Sequence, residues 1–145
     1  MKAWVLAGGI LAGLGMAASA MAQGVITERR EGLRGMGRSM EAIKAVTDAR
    51  GDTRPLTARI DEMITFYRGL PALFPAGSGT GETRALPTIW SDRAGFEQAN
   101  AGMVTALQTL RTAAASGDVA ATTAAFNAAG ATCGSCHRPY RGPAR

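Results

Sequence analysis

The sequence predicts an all-α fold, an antiparallel four-helix bundle. No stretch of the chain alternates polar and apolar residues for long enough to make a β-sheet. Four stretches instead repeat apolar residues at spacings of three and four, which places them on one face of a helix. Helices joined by short connections pack antiparallel, and only the connection between the second and third stretches is long.

The first helix is predicted from about Val25 to Asp48. Its apolar stripe consists of residues seven apart: Ile26, Leu33 and Met40, with Met36 and Ile43. Arg29 falls on the same stripe, seven residues before Met36. Because a charge on the core side of a helix is rarely left unpaired, we expect Arg29 to meet an anion there. The alternative is an arginine of the first turn that extends its charged head to solvent.

Three glycines, at positions 32, 35 and 37, lie inside this helix. Each is less favourable than alanine there by about 1 kcal/mol. Either the helix backbone comes close to a bound group or to a neighbouring helix at these positions, or a sequence rich in glycine and alanine tolerates them.

A second helix is predicted after Gly51. An Asp-Thr pair followed by Pro55 is a start signal, and the apolar pattern continues through residues 56–70. Pro71 ends this helix. Residues 71–87 contain three prolines and three glycines and have no periodicity, which predicts a long crossing loop. Loops of this length are uncommon unless they cover something.

The run Trp90-Ser91-Asp92 opens a third helix, which is predicted to end at Ser116-Gly117. Asp118 is predicted to cap the fourth helix. The third helix directs its apolar residues inward, namely Phe96, Met103, Leu107 and Leu110. The core-facing stripe of the fourth consists of Val119, Phe126, Cys133 and Tyr140, with Thr122, Ala129 and Cys136 beside them.

Both cysteines and the only histidine form the run Cys133-Gly134-Ser135-Cys136-His137. The pattern C-x-x-C-H is typical of c-type haem attachment. Each thiol can form a thioether to one haem vinyl group, and His137 can bind the iron as an axial ligand. Because Cys133 and Cys136 share the core-facing stripe, the haem is expected to be covalently bound in the bundle interior.

The two cysteines have other possible roles, which the sequence favours less than haem attachment. A structural zinc site needs four ligands, and the chain offers only three cysteine and histidine residues. A thioredoxin-like redox pair follows a strand in an α/β pattern, whereas this motif ends a helical stretch. The redox pair and a plain disulfide therefore remain as alternatives to haem.

The N-terminus predicts export. Lys2 gives a basic start, residues 3–16 are uncharged and apolar, and small residues at 18–22 match a signal-peptidase site. We expect a signal peptide of residues 1–22, cleaved after Ala22, a periplasmic location and one domain of residues 23–145. The alternative is an uncleaved membrane anchor, since the charge-free stretch from residue 3 to 23 is just long enough to span a bilayer.

The charge balance is modestly basic. The chain has 16 Lys and Arg against 11 Asp and Glu, and cleavage after Ala22 would remove only Lys2. Two haem propionates would offset part of this charge. No run of basic residues resembles a nucleic-acid patch, so we expect no nucleic acid among the partners.

Over essentially the whole mature region, the chain resembles the cytochrome c′ family. The marks of this resemblance are Cys133-x-x-Cys136-His137-x-x-Tyr140-Arg141, Val25-Ile26-x-x-Arg29 with Leu33 four residues later, Leu70-Pro71 and Ile89-Trp90-Ser91-Asp92. The resemblance implies one covalent haem c per chain and a four-helix bundle. It also implies a homodimer, since family members usually pair through their first two helices.

The resemblance also implies roles for four more residues. Arg29 is expected near the haem propionates, and Arg30, which stands where the family often has glutamine, in the haem vicinity. Leu33 occupies the position that covers the distal face of the iron. Arg141 is expected in the proximal pocket, where a helix continuing four residues past His137 would also place it.

Leu33 decides the function that the resemblance implies. Family members with methionine at this position resemble six-coordinate electron carriers, cytochromes c-556, and members with a bulky non-ligating residue keep five-coordinate iron. We therefore expect a protein, not an enzyme, that binds NO and CO, holds O₂ poorly, and may pass single electrons to an unidentified redox partner. The alternative is a six-coordinate carrier with His137 and Met36 as ligands.

Overall fold

Four long helices and two short helical turns make up the structure, a computed structural model that describes the backbone of residues 10–143 and the side chains of residues 20–143. In chain order they are α1 (Ile10–Asp48), α2 (Leu56–Gly69), a 3₁₀ turn (Leu70–Leu73), α3 (Thr88–Ser91), α4 (Arg93–Ser116) and α5 (Val119–Tyr140). Within the described range, extended pairing is limited to one isolated bridge, between Ala85 and Arg141. The predicted all-α four-helix bundle is confirmed.

Neighbouring long helices run antiparallel, and side-chain contacts define their register. For each pair of neighbouring helices, residue numbers rise along one helix while the numbers of the contacting residues fall along the other. The paired residues are Gly32 with Phe66 and Ser39 with Arg59 for α1 and α2, Thr53 with Ala114 and Tyr67 with Asn100 for α2 and α4, and Met103 with Thr132 and Asp92 with Tyr140 for α4 and α5. It follows that α1 is also antiparallel to α5.

The helix boundaries follow the predicted signals with one exception. Asp92 caps α4 by accepting the Gly95 N–H, and Asp118 caps α5 by accepting the Ala121 N–H. Gly117, between these helices, has a left-handed φ of 77°, which glycine adopts without strain. The exception is α1, which ends at Asp48 as predicted but extends back to residue 10 instead of beginning near residue 25.

The start of α1 overlaps the predicted signal peptide. The helix passes through Ala22, because the alanine-rich residues before it also favour a helix. The first nine residues lie outside the described range. No helix among the residues described combines the length and apolar character that crossing a membrane requires. Cleavage after Ala22 stays a prediction.

The core divides into two clusters. The larger one fills the half of the bundle where α2 begins and α4 ends, around Ile43, Ile60, Leu107 and Leu110, which are fully buried. A second, aromatic cluster lies at the opposite end, beneath the long loop, and contains Leu70, Phe74, Ile89, Phe96 and Tyr140. All four inward residues predicted for the third helix are buried.

Of the glycines at positions 32, 35 and 37 of α1, the structure explains one. At Gly32 the Phe66 ring of α2 lies where a Cβ would stand, so the absence of a side chain allows the two helices to approach. At Gly35 only the side chain of Arg38 is near, and at Gly37 no atom lies within 4 Å. The expected approach to a neighbouring helix is therefore confirmed for Gly32 alone.

Candidate cofactor site

A cavity of about 820 Å³ opens where the four long helices and the long loop converge. This volume lies in the range of pockets that bind small molecules and cofactors. Its walls include side chains from every long helix, among them Leu33, Tyr67, Phe96 and Met103, together with both cysteines and His137. The structure thus brings all three residues of the predicted haem motif to one cavity.

The two cysteines lie in the last turns of α5. Both are half-buried free thiols. Burial raises the pKa of Cys133, and burial followed by the neighbouring Cys133 raises the pKa of Cys136. In the chain alone, both side chains are therefore neutral thiols at neutral pH.

His137 lies in the same turn as Cys136 and lines the cavity. Burial, followed by the positive charges of Arg141 and Arg84, lowers the pKa of the imidazole. The ring is therefore neutral at physiological pH, which is the form that binds a metal. Its side chain makes no hydrogen bond within residues 20–143.

Arg29 is buried, with only 2% of its surface exposed. Its two terminal nitrogens donate four hydrogen bonds to neutral acceptors of the loop, and the guanidinium carbon lies 4.4 Å from the centre of the Phe74 ring. The acceptors are the Leu73 carbonyl (3.2 Å), the Ser78 hydroxyl (2.9 Å) and carbonyl (2.7 Å) and the Thr83 hydroxyl (2.6 Å).

The charge of Arg29 has no carboxylate partner among the described residues. Burial lowers the pKa of its guanidinium. Its Nε makes no hydrogen bond within residues 20–143, and the side chain lines the cavity. The anion expected from the sequence is therefore not a side chain of this part of the protein. A bound carboxylate at this wall would supply it.

The rim of the cavity is positive. Arg30 pairs with Glu82, at 3.0 Å from its carboxylate and 2.9 Å from its carbonyl. Arg34, Arg84 and Arg141 also line the cavity, and Glu82 is the sole acidic residue among the described lining. This charge distribution suits a ligand that carries carboxylates.

Leu33 on α1 and His137 on α5 both line the cavity. Leu33 packs against the aromatic cluster, which contains Tyr140 and also contacts Cys136. Met36, three residues later, packs against the larger apolar cluster instead. Three residues of helix place Met36 about 4.5 Å further along the axis of α1 than Leu33.

Arg141 lines the cavity. A helix that continued through this residue would have carried it on the face of His137. The helix ends at Tyr140, and Arg141 is extended, with φ −128° and ψ 123°. Its backbone instead pairs with Ala85 of the long loop.

Several cavity residues were not predicted from the sequence, among them the charged residues Arg34, Glu82 and Arg84 and the uncharged pair Asn100 and Tyr67. The Asn100 amide nitrogen donates to the Tyr67 carbonyl at 2.8 Å, which fixes the orientation of the amide. Its oxygen is buried without a hydrogen-bond partner. A polar residue between Phe96 and Met103 on the buried stripe of α4 was the available signal, of the same kind that identified Arg29.

These features fit a haem c group. The cavity is apolar and large, two thiols and an imidazole stand on one wall, and an unpaired buried guanidinium with a positive rim can receive two propionates. The zinc alternative lacks support, since no cluster of three or more histidine, cysteine, aspartate or glutamate side chains that could hold a metal ion occurs in the described range.

Comparison with known proteins agrees with this fit. The family model described as Cytochrome C' matches residues 24–141. The chain is 34% identical to a cytochrome c-556 from Agrobacterium tumefaciens over 117 residues, or 79% of this chain and 94% of that one. It is 34% identical to a cytochrome c′ from Rhodopseudomonas palustris over 123 residues, or 81% of each. A cytochrome c-554 from Cereibacter sphaeroides is 45% identical over 74 residues, so the chain spans only 48% of that relative.

Solved structures show the same architecture. A nitric oxide complex of a leucine-to-alanine mutant of cytochrome c prime from Alcaligenes xylosoxidans superposes with a TM-score of 0.77 at 27% sequence identity. The superposition covers 85% of this chain and 97% of that one.

Proposed function

The chain belongs to the cytochrome c′ family, and from this premise we propose that it is a periplasmic haem protein with five-coordinate iron that binds NO and CO. Family membership carries the coarser statement: the protein binds haem c covalently, and it is an electron-transfer or gas-binding haem protein. The finer statement rests on the residues around the cavity.

Each group around the cavity has a proposed role. Cys133 and Cys136 would form the two thioethers, and His137 would bind the iron through its neutral imidazole. Arg29 would donate its free Nε–H to a propionate, Arg30 and Arg84 would add positive charge around the carboxylates, and Arg141 would lie in the proximal pocket. The haem would supply an iron atom that exchanges one electron and can bind a diatomic ligand.

The single observation that supports the five-coordinate assignment is the packing of Leu33 against the cluster that contains Tyr140 and contacts Cys136, the residues that flank His137. A leucine side chain has no lone pair, so this residue covers the distal side of the cavity without coordinating. Met36 lies about 4.5 Å deeper along α1. We therefore treat Met36 as a packing residue, in agreement with its contact with the apolar core.

The choice of gas follows from the same side chain. Leu33 shields the distal side with hydrocarbon, and a small neutral molecule can displace it. It cannot donate a hydrogen bond to the negative charge that bound dioxygen draws, so O₂ is held poorly. Variants of a related cytochrome c prime form nitric oxide complexes, which supports NO as a ligand.

The optical spectrum of the reduced protein tests the proposal. Five-coordinate iron predicts broad high-spin bands that change when CO is added. Sharp low-spin bands that CO leaves unchanged would contradict it. Replacement of Met36 by leucine should leave the five-coordinate spectrum as it is.

A six-coordinate electron carrier is the second candidate. Relatives named cytochrome c-556 and c-554 support it. So do three thioethers along the cavity wall, those of Met36, Met40 and Met103. Of these, the Met103 sulfur lies 3.2 Å from the Thr132 hydroxyl, which donates its proton to the Ala129 carbonyl at 2.6 Å. If Met36 were the ligand, Met36→Leu would convert sharp bands to broad ones.

We also propose export, assembly and partners from the sequence and the family. A signal peptide of residues 1–22 is removed and the mature protein, residues 23–145, resides in the periplasm without an anchor, as a homodimer that serves a periplasmic redox partner. N-terminal sequencing should find Gln23 first, and a retained N-terminus would contradict cleavage.

Sedimentation of the haem-loaded protein should give twice the monomer mass, and a monomer would overturn the dimer.

A further inference from the structure

The segment that precedes α4 holds the end of α5 in place. We call residues 84–92 the strap. Five hydrogen bonds join its first part to the residues that directly follow His137: Leu86 N–H to the Tyr140 carbonyl (3.1 Å), Gly142 N–H to the Arg84 carbonyl (2.7 Å), the Arg84 Nε and terminal N–H groups to the Gly142 carbonyl (2.9 and 2.6 Å), and the Thr88 hydroxyl to the Pro139 carbonyl (2.6 Å).

A sixth hydrogen bond closes the strap at its other end. The Tyr140 hydroxyl donates to Asp92 Oδ2 at 2.7 Å. The other carboxylate oxygen, Oδ1, accepts the Gly95 N–H at 3.2 Å and so caps α4. One carboxylate therefore joins the last turn of α5 to the first turn of α4.

Packing around this hydrogen bond restricts the Tyr140 side chain to one position. Tyr140 is 6% exposed, and its ring meets the Phe96 ring edge-on at 5.4 Å between centroids. A Cβ at residue 95 would lie 2.6 Å from the Tyr140 hydroxyl and would also collide with the Asp92 carboxylate. Only glycine at position 95 leaves room for the contact.

The orientation of the His137 ring is not fixed by a hydrogen bond of its own among the described residues. A histidine that binds a metal is usually held by a hydrogen bond from its other ring nitrogen. The His137 ring makes no such bond within residues 20–143. Its orientation therefore depends on the backbone of the last turn of α5, and Tyr140 follows it by three residues on that same turn.

We propose that Tyr140 and Asp92 are positioning residues for His137. By tying the last turn of α5 to the start of α4, they hold the imidazole in one orientation in the cavity. The inference rests on the proposal that His137 binds the haem iron. It holds whether the iron has five or six ligands.

The test compares four haem-loaded proteins: wild type, Tyr140→Phe, Gly95→Ala and the control Thr53→Val. Tyr140→Phe removes the hydroxyl, and Gly95→Ala displaces it without removing it. Thr53 is a matched control, because its buried hydroxyl joins the turn before α2 to α4 at the opposite end of the bundle, by a 3.0 Å bond to the Ala114 carbonyl.

Two readouts report the axial ligand: the reduction potential and, for the ferrous high-spin protein, the iron–imidazole stretching band. We expect Tyr140→Phe and Gly95→Ala to shift the potential in the same direction and to move or broaden the band. Thr53→Val should lower the melting temperature and leave both readouts at their wild-type values. A Tyr140→Phe protein that loses thermal stability but keeps the wild-type potential and band would overturn the inference.

A His137→Gly variant separates this inference from the proposed function. If its spectrum equals that of the wild type, His137 is not the ligand, and the proposed ligation and the inference both fail. If its spectrum changes while Tyr140→Phe and Gly95→Ala leave the potential unshifted, only the inference fails.

Discussion

Leu33 on α1 and His137 on α5 lie on two walls of one cavity. Leu33 packs against the cluster that contains Tyr140 and contacts Cys136, which flank His137 in the sequence. A histidine that can bind iron thus shares its cavity with a side chain that cannot.

Shortening Leu33 should strengthen the binding of CO. In a Leu33→Ala protein the incoming molecule no longer has to displace a branched side chain, so we expect the affinity of the reduced protein for CO to rise by about tenfold or more. CO titration followed by absorbance measures this. Met36→Ala is the control and should leave the affinity near that of wild type. Equal affinities for Leu33→Ala and wild type would remove Leu33 from the distal side.

Replacing Arg29 should destabilise the loop that covers the cavity. Arg29→Met removes four hydrogen bonds to the loop and leaves buried carbonyls of Leu73 and Ser78 without that donor. We expect the free energy of unfolding to fall by about 2–4 kcal/mol, measured by denaturant unfolding of the haem-loaded protein.

Arg30→Met is the matched control for Arg29. Arg30 pairs with the exposed carboxylate of Glu82, and exposed ion pairs of this kind contribute about 0.2–1 kcal/mol. Similar decreases in the free energy of unfolding for the two substitutions would contradict the stabilising role assigned to the buried Arg29.

Asn100→Leu should stabilise the protein. The Asn100 oxygen is buried without a partner, and such a group is unfavourable by about 1–3 kcal/mol, whereas leucine has a similar size and no polar atom. The Tyr67 carbonyl that loses the amide still accepts the Leu70 N–H. We expect a gain of about 1 kcal/mol by thermal unfolding. A clear loss would mean that the oxygen is hydrogen-bonded when haem fills the cavity.

Gly32→Ala should destabilise the contact of α1 with α2. Alanine favours a helix more than glycine does, but its Cβ would meet the Phe66 ring. We expect this overpacking to dominate and to lower stability by about 1–3 kcal/mol. Gly102→Ala is the control, because no atom lies within 4 Å of that position, and it should raise stability by about 1 kcal/mol. A gain from both substitutions would show that Phe66 moves aside freely.

Local signals were enough to predict most of the fold. The 3.6-residue period identified the four long helices, and Asp92 and Asp118 set the starts of α4 and α5 because a capping carboxylate acts on the N–H groups of its own first turn. The predicted start of α1 near Val25 differs from the observed start at Ile10, because the alanine-rich residues before Val25 also favour a helix.

The site was predictable where its residues are close in sequence or break a pattern. Cys133, Cys136 and His137 form a continuous motif, and Arg29 is a charge on an apolar stripe. The extended conformation of Arg141 was not predictable, because it depends on pairing with Ala85, which is distant in sequence. The cavity-lining positions of Tyr67 and Met103 were not predictable for another reason. Residues that line a cavity and residues that fill a core occupy the same helical stripe.

X-ray absorption at the iron edge tests the central claim most directly, because it identifies the atoms bound to the metal. For the haem-loaded protein the account predicts five nitrogen ligands, four from the porphyrin and one from His137, and no sulfur in the first coordination shell. A sulfur neighbour at bonding distance would show that a methionine fills the sixth position, and it would contradict the account.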